Sequence, residues 1–277
     1  MSLIGVHVGD VTDIVEIMDK NPVYKKLDLV QTFVSATTNY SDKKFTPVKK
    51  LIAEKDIKLV VHISYSINLS RRWTENDWWI QQFIGEIEGA SALNAFAVVV
   101  HTGKKLELSD AEALNNMYTS LLYVHGKTFA SNKIKILIET PSGQGSETLT
   151  KIEELCRFMG KFYKHPDDFV KERFGLCLDT CHVFASGYDI RTKTDLNNVF
   201  GIIDRSIGTN KIKLCHINDS KKGLGSKLDR HENVGEGEIG EKSIINIVKF
   251  MKKLGVPMIL ETPAEHIDHD YELLRSV

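Results

Sequence analysis

The 277-residue chain contains no run approaching the ~20 consecutive apolar residues that a membrane-spanning helix needs. Its first residues, Met1-Ser2-Leu3-Ile4-Gly5-Val6-His7, lack the basic start and apolar stretch of a secretory leader. A soluble, intracellular protein with no membrane partner is therefore expected. Cysteine is scarce, and the four present (Cys156, Cys177, Cys181 and Cys215) form no CxxC pair and no dense framework, which argues against a disulfide scaffold. Cys177 and Cys181 read as small core residues beside a strand end, with metal ligation as the alternative. An excess of positive charge is missing too. The net charge of −1 gives no global attraction for nucleic acid, so such a partner would have to meet a local field. Finally, no low-complexity segment or Pro/Gly/Ser-rich linker divides the chain, which reads as one domain over residues 1–277.

What the sequence does contain is a repeated alternation. Short apolar, β-branched runs occur at Ile4–Val8, Asp28–Val34, Lys58–Ile63, Ala95–His101, Lys135–Thr140, Gly175–Thr180, Ile212–Asn218 and Met258–Thr262. Helical patterns lie between them, including Trp78–Leu93, Ala111–Phe129, Ser146–Tyr163 and Glu241–Leu254. Near-continuous apolar strands alternating with helices predict a parallel sheet covered on its outer face. Eight such units in a chain near the ~250 residues typical of the architecture predict an α/β fold, a (β/α)8 TIM barrel. An open doubly wound sheet is the alternative, because periodicity does not report closure.

Barrels of this kind build their sites at the C-terminal ends of the strands. Six successive strands here end in a histidine or a carboxylate: His62, His101, Glu139, Asp179 (followed by His182), His216 and Glu261. Asp229 and His231 follow in a Gly-rich loop. Any one of these alone reads as a hydrogen-bonded structural residue. Together they are costly to bury unless they pair or bind cations, and four acids at one barrel mouth would raise one another's pKa. Five imidazoles and four carboxylates suit zinc better than calcium or magnesium, with manganese an alternative at some sites. One ion uses about three or four protein ligands, so nine candidates imply two or three ions and a bridging carboxylate. Three zinc ions, four carboxylates and one hydroxide would leave the cluster about one unit positive, a local anion site suited to phosphate chemistry.

The motifs carrying these residues are specific. Asp179-Thr180-Cys181-His182-Val183-Phe184-Ala185-Ser186-Gly187-Tyr188-Asp189 resembles a signature of the endonuclease IV family of apurinic/apyrimidinic endonucleases. So do His216-Ile217-Asn218-Asp219-Ser220-Lys221, Gly225-Ser226-Lys227-Leu228-Asp229-Arg230-His231, Gly235-Glu236-Gly237-Glu238-Ile239-Gly240 and Leu260-Glu261-Thr262-Pro263. Glu139-Thr140-Pro141-Ser142-Gly143-Gln144-Gly145-Ser146 fits the family's Glu-containing loop, and the match runs from Ile4 nearly to the C-terminus, more strongly in the second half. The resemblance implies a three-zinc barrel. One ion would sit on His62 and His101 and share Glu139 with a second, which also takes Asp179, His216 and Glu261. The third would be held by His182, Asp229 and His231. It further implies a monomer acting on damaged double-stranded DNA in base excision repair. A metal-bridging hydroxide, with Glu139 and Glu261 as catalytic carboxylates, would cut the phosphodiester 5′ to an abasic site, leaving a 3′-hydroxyl and a 5′-deoxyribose phosphate.

Two departures from that family stand out. Its members usually carry an arginine in the loop after strand two and a Tyr-Leu pair after the strand-three histidine, which enter the duplex. Here the loop reads Ser35-Ala36-Thr37-Thr38-Asn39-Tyr40, and the pair is Tyr65-Ser66. Tyr65 stays a candidate DNA contact, as does Arg230, which reads equally as the partner of a structural salt bridge. Trp73, Trp78 and Trp79 either stack on nucleotides or pack a helix onto the barrel. The rival reading is a metal-dependent sugar isomerase or epimerase on the same barrel, for which two ions suffice. The set His182, Asp229 and His231 discriminates between them. A DNA-binding accessory with a structural cluster is a further class.

Overall fold

The structure is a computed structural model describing residues 3–131 and 133–277; Met1 and Ser2, which belong to the N-terminal stretch read above, lie outside the described residues, as does Asn132. Eight parallel strands form the barrel: β1 (Ile4–Asp10), β2 (Leu29–Phe33), β3 (Lys58–His62), β4 (Ala97–Val100), β5 (Lys135–Glu139), β6 (Phe174–Asp179), β7 (Ile212–Ile217) and β10 (Met258–Leu260). Around the barrel their order is β1, β10, β7, β6, β5, β4, β3, β2. A two-stranded ribbon, β8 (Asp219–Ser220) and β9 (His231–Glu232), follows β7. The barrel is closed by pairing of β1 with β10, which excludes the open sheet.

The outer layer consists of α1 (Asp13–Lys20), α2 (Thr46–Glu54), α3 (Trp78–Ala92), α4 (Asp110–Lys127), α5 (Ile152–Tyr163), α6 (Asp168–Arg173), α7 (Thr180–Ala185), α8 (Lys193–Ile207), α9 (Glu241–Leu254) and α10 (Ile267–Ser276). Their starts follow local chemistry. Ser109 and Glu112 form a reciprocal capping box on α4, and Asp179 caps α7 by accepting from the His182 N–H. One expectation needs correction: α5 begins at Ile152 rather than Ser146. Residues 146–151 are instead tied to the loop after β4, where Lys105 N donates to Ser146 O and Thr148 N to Gly103 O, both at 2.9 Å. Leu149, at φ +61°, is incompatible with continuing the helix.

The two-residue period of a strand sorts the barrel into an inner column and an outer one. Leu29, Val60, Ala97, Val99, Leu137, Cys177, Leu214 and Ile259 form a separate apolar cluster that fills the interior. Two residues further along the same columns lie Gln31, His62, His101, Glu139, Asp179, His216 and Glu261. The polar mouth is thus the next layer of the packing that fills the barrel below it. Gly5 in β1 is part of that packing: a Cβ there would stand 2.0 Å from Leu29 O, a backbone atom that cannot move aside. Gly5→Ala is expected to cost at least about 1–3 kcal/mol of stability, measured by chemical denaturation; an unchanged midpoint would show that β1 and β2 separate freely.

Candidate metal centre

Each strand end places its side chain at the mouth, and the structure brings all nine candidates together. Among the nine, three groups of donor atoms form, with atoms in each lying within 4.8 Å of one another: His62, His101 and Glu139; Glu139, Asp179, His216 and Glu261; and His182, Asp229 and His231. Glu139 belongs to two of them. Its Oε2 lies 3.1 Å from His101 Nε2 and 3.4 Å from His62 Nε2, while its Oε1 lies 2.9 Å from His216 Nδ1. Glu261 Oε2 is 3.1 Å from the same His216 nitrogen. In the third group, Asp229 Oδ1 stands 3.1 Å from His182 Nε2 and 3.2 Å from His231 Nε2. Asp229 and His231 do reach one point from the same side of their segment, as their spacing of two predicts.

Four of the five rings are oriented by the nitrogen that faces away from the centre. His62 Nδ1 is held by Ile63 O at 2.8 Å, His182 Nδ1 by Thr140 O at 2.9 Å, His231 Nδ1 by Glu261 O at 3.2 Å, and His216 Nε2 by Gln31 Oε1 at 2.9 Å. Each outer nitrogen therefore donates its N–H to an oxygen and leaves the other directed at the mouth, where it offers a lone pair once any proton on it is lost. Buried Glu139 Oε2, His182 Nε2 and His231 Nε2 have no hydrogen-bond partner among the described residues. Carboxylate and imidazole lie close enough to pair, yet are not aligned as donor and acceptor. A buried polar atom left in this state costs free energy, and cations held in the first and third groups would satisfy all three atoms. The residues fit a metal.

The electrostatics agree. Burial pushes the Glu139 carboxyl up, but His101 and His216 overrule it and hold it well below the usual range. Asp179, just as enclosed, is pushed up by burial in spite of His182 and His231. Burial opposes charge on His231, while its contact with Asp229 raises it to about 9. Burial pushes the Cys177 and Cys181 thiols up to about 12. Cys177 belongs to the barrel filling, as expected. Cys181 is buried too, and its Sγ lies within 4.8 Å of donor atoms of Asp179 and His231 while donating to Arg230 O at 3.6 Å.

Several residues of the site carry no metal-ligand signature and went unread in the sequence. Gln31 donates to Glu261 Oε1 at 2.6 Å while accepting from His216, and its amide also meets His7 Nδ1 at 3.1 Å. Asn218 donates to Asp179 Oδ2 at 2.7 Å and accepts from Glu261 N at 2.9 Å. The Gly235–Gly240 motif has a structural part: the buried Asp219 carboxylate accepts N–H groups from Gly235, Ile239 and Gly240. A strand-parity reading would have found Gln31 and His7, which head the inward columns of β2 and β1.

Comparison with known proteins supplies the lineage. The family described as xylose isomerase-like TIM barrel matches residues 13–277. A protein of Nitrosopumilus maritimus named probable endonuclease 4 is 31% identical, over 99% of this chain and 98% of its own length. The chain belongs to the endonuclease IV family. Among solved structures, endonuclease IV from Thermus thermophilus superposes with a TM-score of 0.78 at 24% identity, covering 99% of this chain and 97% of its own. A D-tagatose 3-epimerase-like protein gives a TM-score of 0.71 at 22% identity, covering 100% of this chain and 96% of its own. These two likenesses are of fold.

Against this family background the two candidate nucleic-acid contacts differ in position. Tyr65 stands at the rim, 66% exposed, its ring 5.0 Å from that of His62 and 5.2 Å from that of His101. Arg230 is exposed and donates to the carbonyl oxygen of Asp229; no carboxylate among the described residues pairs with it, so the salt-bridge alternative is not what the structure shows. The tryptophans divide. Trp79 is fully buried and Trp73 packs against Tyr123 and donates to Thr119, but Trp78 is 54% exposed. No helix is long and apolar enough to cross a membrane among the described residues.

Proposed function

We propose that this chain is a zinc-dependent endonuclease that cleaves double-stranded DNA on the 5′ side of abasic sites in base excision repair, leaving a 3′-hydroxyl and a 5′-deoxyribose phosphate. The observation that carries this reading is the third donor set. His182, Asp229 and His231 assemble beside the other two sets, and a sugar isomerase or epimerase working with two ions has no use for it. Zinc is favoured by spacing as well as by ligand type. Ligand atoms about 2.0–2.1 Å from a tetrahedral zinc stand about 3.3–3.4 Å apart, and the nitrogen–oxygen distances within the first and third sets are 3.1 to 3.4 Å. The names of the relatives support the choice of substrate class.

Bound in these three sets, zinc ions would lower the pKa of water and neutralise charge on a phosphodiester. The chain's own part is to hold its donors deprotonated, oriented and spaced. Asn218 fixes Asp179 and Glu261 together, Gln31 links Glu261 to His216, and Thr140 aims His182. The buried floor of His62, Glu139, Asp179, His182 and His216 keeps water away from these contacts, which strengthens each of them. Half-buried Asp229 and His231 leave the mouth open on one side to a backbone phosphate.

Purified protein is expected to carry two to three zinc ions per chain and to nick a duplex containing a tetrahydrofuran abasic analogue, with chelation abolishing the activity. Metal analysis alongside gel-resolved products tests this. Inactivity on that duplex combined with isomerisation of a free sugar would transfer the assignment to the isomerase.

A further inference from the structure

Beside the metal mouth, on the far side of Tyr65, lies a cavity of about 920 Å³ that the proposed chemistry does not use. Its walls come from the loop after β2, the loop after β3 and the first turns of α3. Tyr65 and Trp78 are the two large exposed aromatic residues on these walls. Tyr65 joins the cavity to the centre, because its ring also touches His62, His101 and Phe33. The Arg71 guanidinium sits 5.9 Å from the Trp78 ring.

The two loops bring short side chains to this space, Ser35, Ala36 and Thr37 from one and Ser64 from the other. Ala36 packs so closely on α3 that a Cβ on Gly85 would come within 2.8 Å of its own Cβ. Ser66 turns away to bond Ser64 Oγ at 2.8 Å. Neither residue offers an apolar wedge to occupy a gap in a duplex. At the base of the cavity, buried Glu86 accepts from Ser64 N at 2.9 Å and Gln82 Nε2 at 2.7 Å. It fixes the turn that carries Tyr65, and its carboxylate disfavours a phosphate in the cavity. The amides of Gln81 and Gln82 and the hydroxyls of Ser35 and Thr37 add polar edges. Aromatic faces, polar edges and an anionic floor together select a flat, uncharged, hydrogen-bonding ligand.

We propose that this cavity captures an unstacked nucleobase next to the scissile phosphate, seated on Trp78 with Tyr65 as the second wall. The lesion would then be held open by drawing a base out into the protein rather than by pushing side chains in. This rests on the nuclease reading above. Removing a base from the stack costs a few kcal/mol and costs least where the base is already unpaired. The protein should therefore prefer abasic sites flanked or opposed by unpaired bases over the same sites in fully matched duplex.

The test compares wild-type protein with Trp78→Ala and Trp78→Phe on tetrahydrofuran duplexes that are matched or contain an unpaired 2-aminopurine beside the lesion. Stacking of one base predicts that Trp78→Ala raises KM and Kd by about 5- to 100-fold with kcat nearly unchanged. Trp78→Phe should restore most of the affinity, and the preference for unpaired substrates should vanish in Trp78→Ala alone. Bound 2-aminopurine should be quenched by wild type and not by Trp78→Ala. Wild-type nicking with the same KM and the same 2-aminopurine signal in Trp78→Ala would overturn the base-capture proposal and leave the nuclease reading standing. A wild-type protein that neither binds nor nicks these duplexes would overturn both.

Discussion

Glu139→Gln is expected to reduce single-turnover nicking by about a thousandfold or more while leaving the barrel folded. Glutamine preserves shape and volume and removes only the charge. That charge is shared, since one oxygen faces His62 and His101 and the other faces His216. Without it, two donor sets lose their common anion at once, and the neutral amide cannot replace it on both sides. Glu261→Gln removes the anion from one set alone, where Gln31 and Asn218 also hold it. It is expected to abolish measurable cleavage while DNA binding stays largely intact, because the exposed rim is untouched. Metal content per chain, DNA affinity and product formation should be read on the same preparations. Turnover within tenfold of wild type at full metal content would remove Glu139 from the centre.

How far such a site can be read from sequence depends on what each side chain costs to bury. His62, His101, Glu139, Asp179, His216 and Glu261 announce themselves because an ionisable group at the end of an apolar strand has no inexpensive structural reading. Gln31 sits in the same ring at the same height and is as buried as His62, Glu139, Asp179 and His216. A neutral amide can be satisfied by any neighbour, so its role appears only when its partners are in place. The tryptophan pair shows another limit. Trp79, Phe83, Ile87 and Ala90 recur at helical spacing and form the buried face of α3, but neighbouring Trp78 lies out of phase, and only the three-dimensional packing reveals an exposed ring. Residues 146–151 are misread as helix for the opposite reason: their composition suits one, but hydrogen bonds to the loop at residues 103–105 outweigh local propensity.

The difference in thermal midpoint between zinc-loaded and chelator-treated protein is expected to widen as pH rises from 6 to 9. In the metal-free protein, burial opposes a proton on His231, but Asp229 holds it, and the group's pKa rises from 6.5 to about 9. A raised pKa contributes stability that is fully present below the unfolded value of 6.5 and is lost as pH climbs through about 9. His182 shifts in the same direction: burial opposes its charge, and Asp179 prevails. Asp229 is displaced the other way, as burial is outweighed by His182 and His231. Its contribution is lost only as pH falls below the ordinary carboxylate range, outside this window. The metal-free barrel therefore weakens toward pH 9. Zinc competes with those same protons for the imidazole lone pairs, so its binding strengthens as they leave. At a free concentration about a thousand times its Kd, one ion adds about 4 kcal/mol, roughly 8–16 °C in a chain of this size. Scanning calorimetry at pH 6, 7.5 and 9, with zinc and with chelator, measures the gap directly. A gap that stays constant or narrows would mean that His182, Asp229 and His231 satisfy one another without a cation, and the third donor set would lose its place in the proposed chemistry.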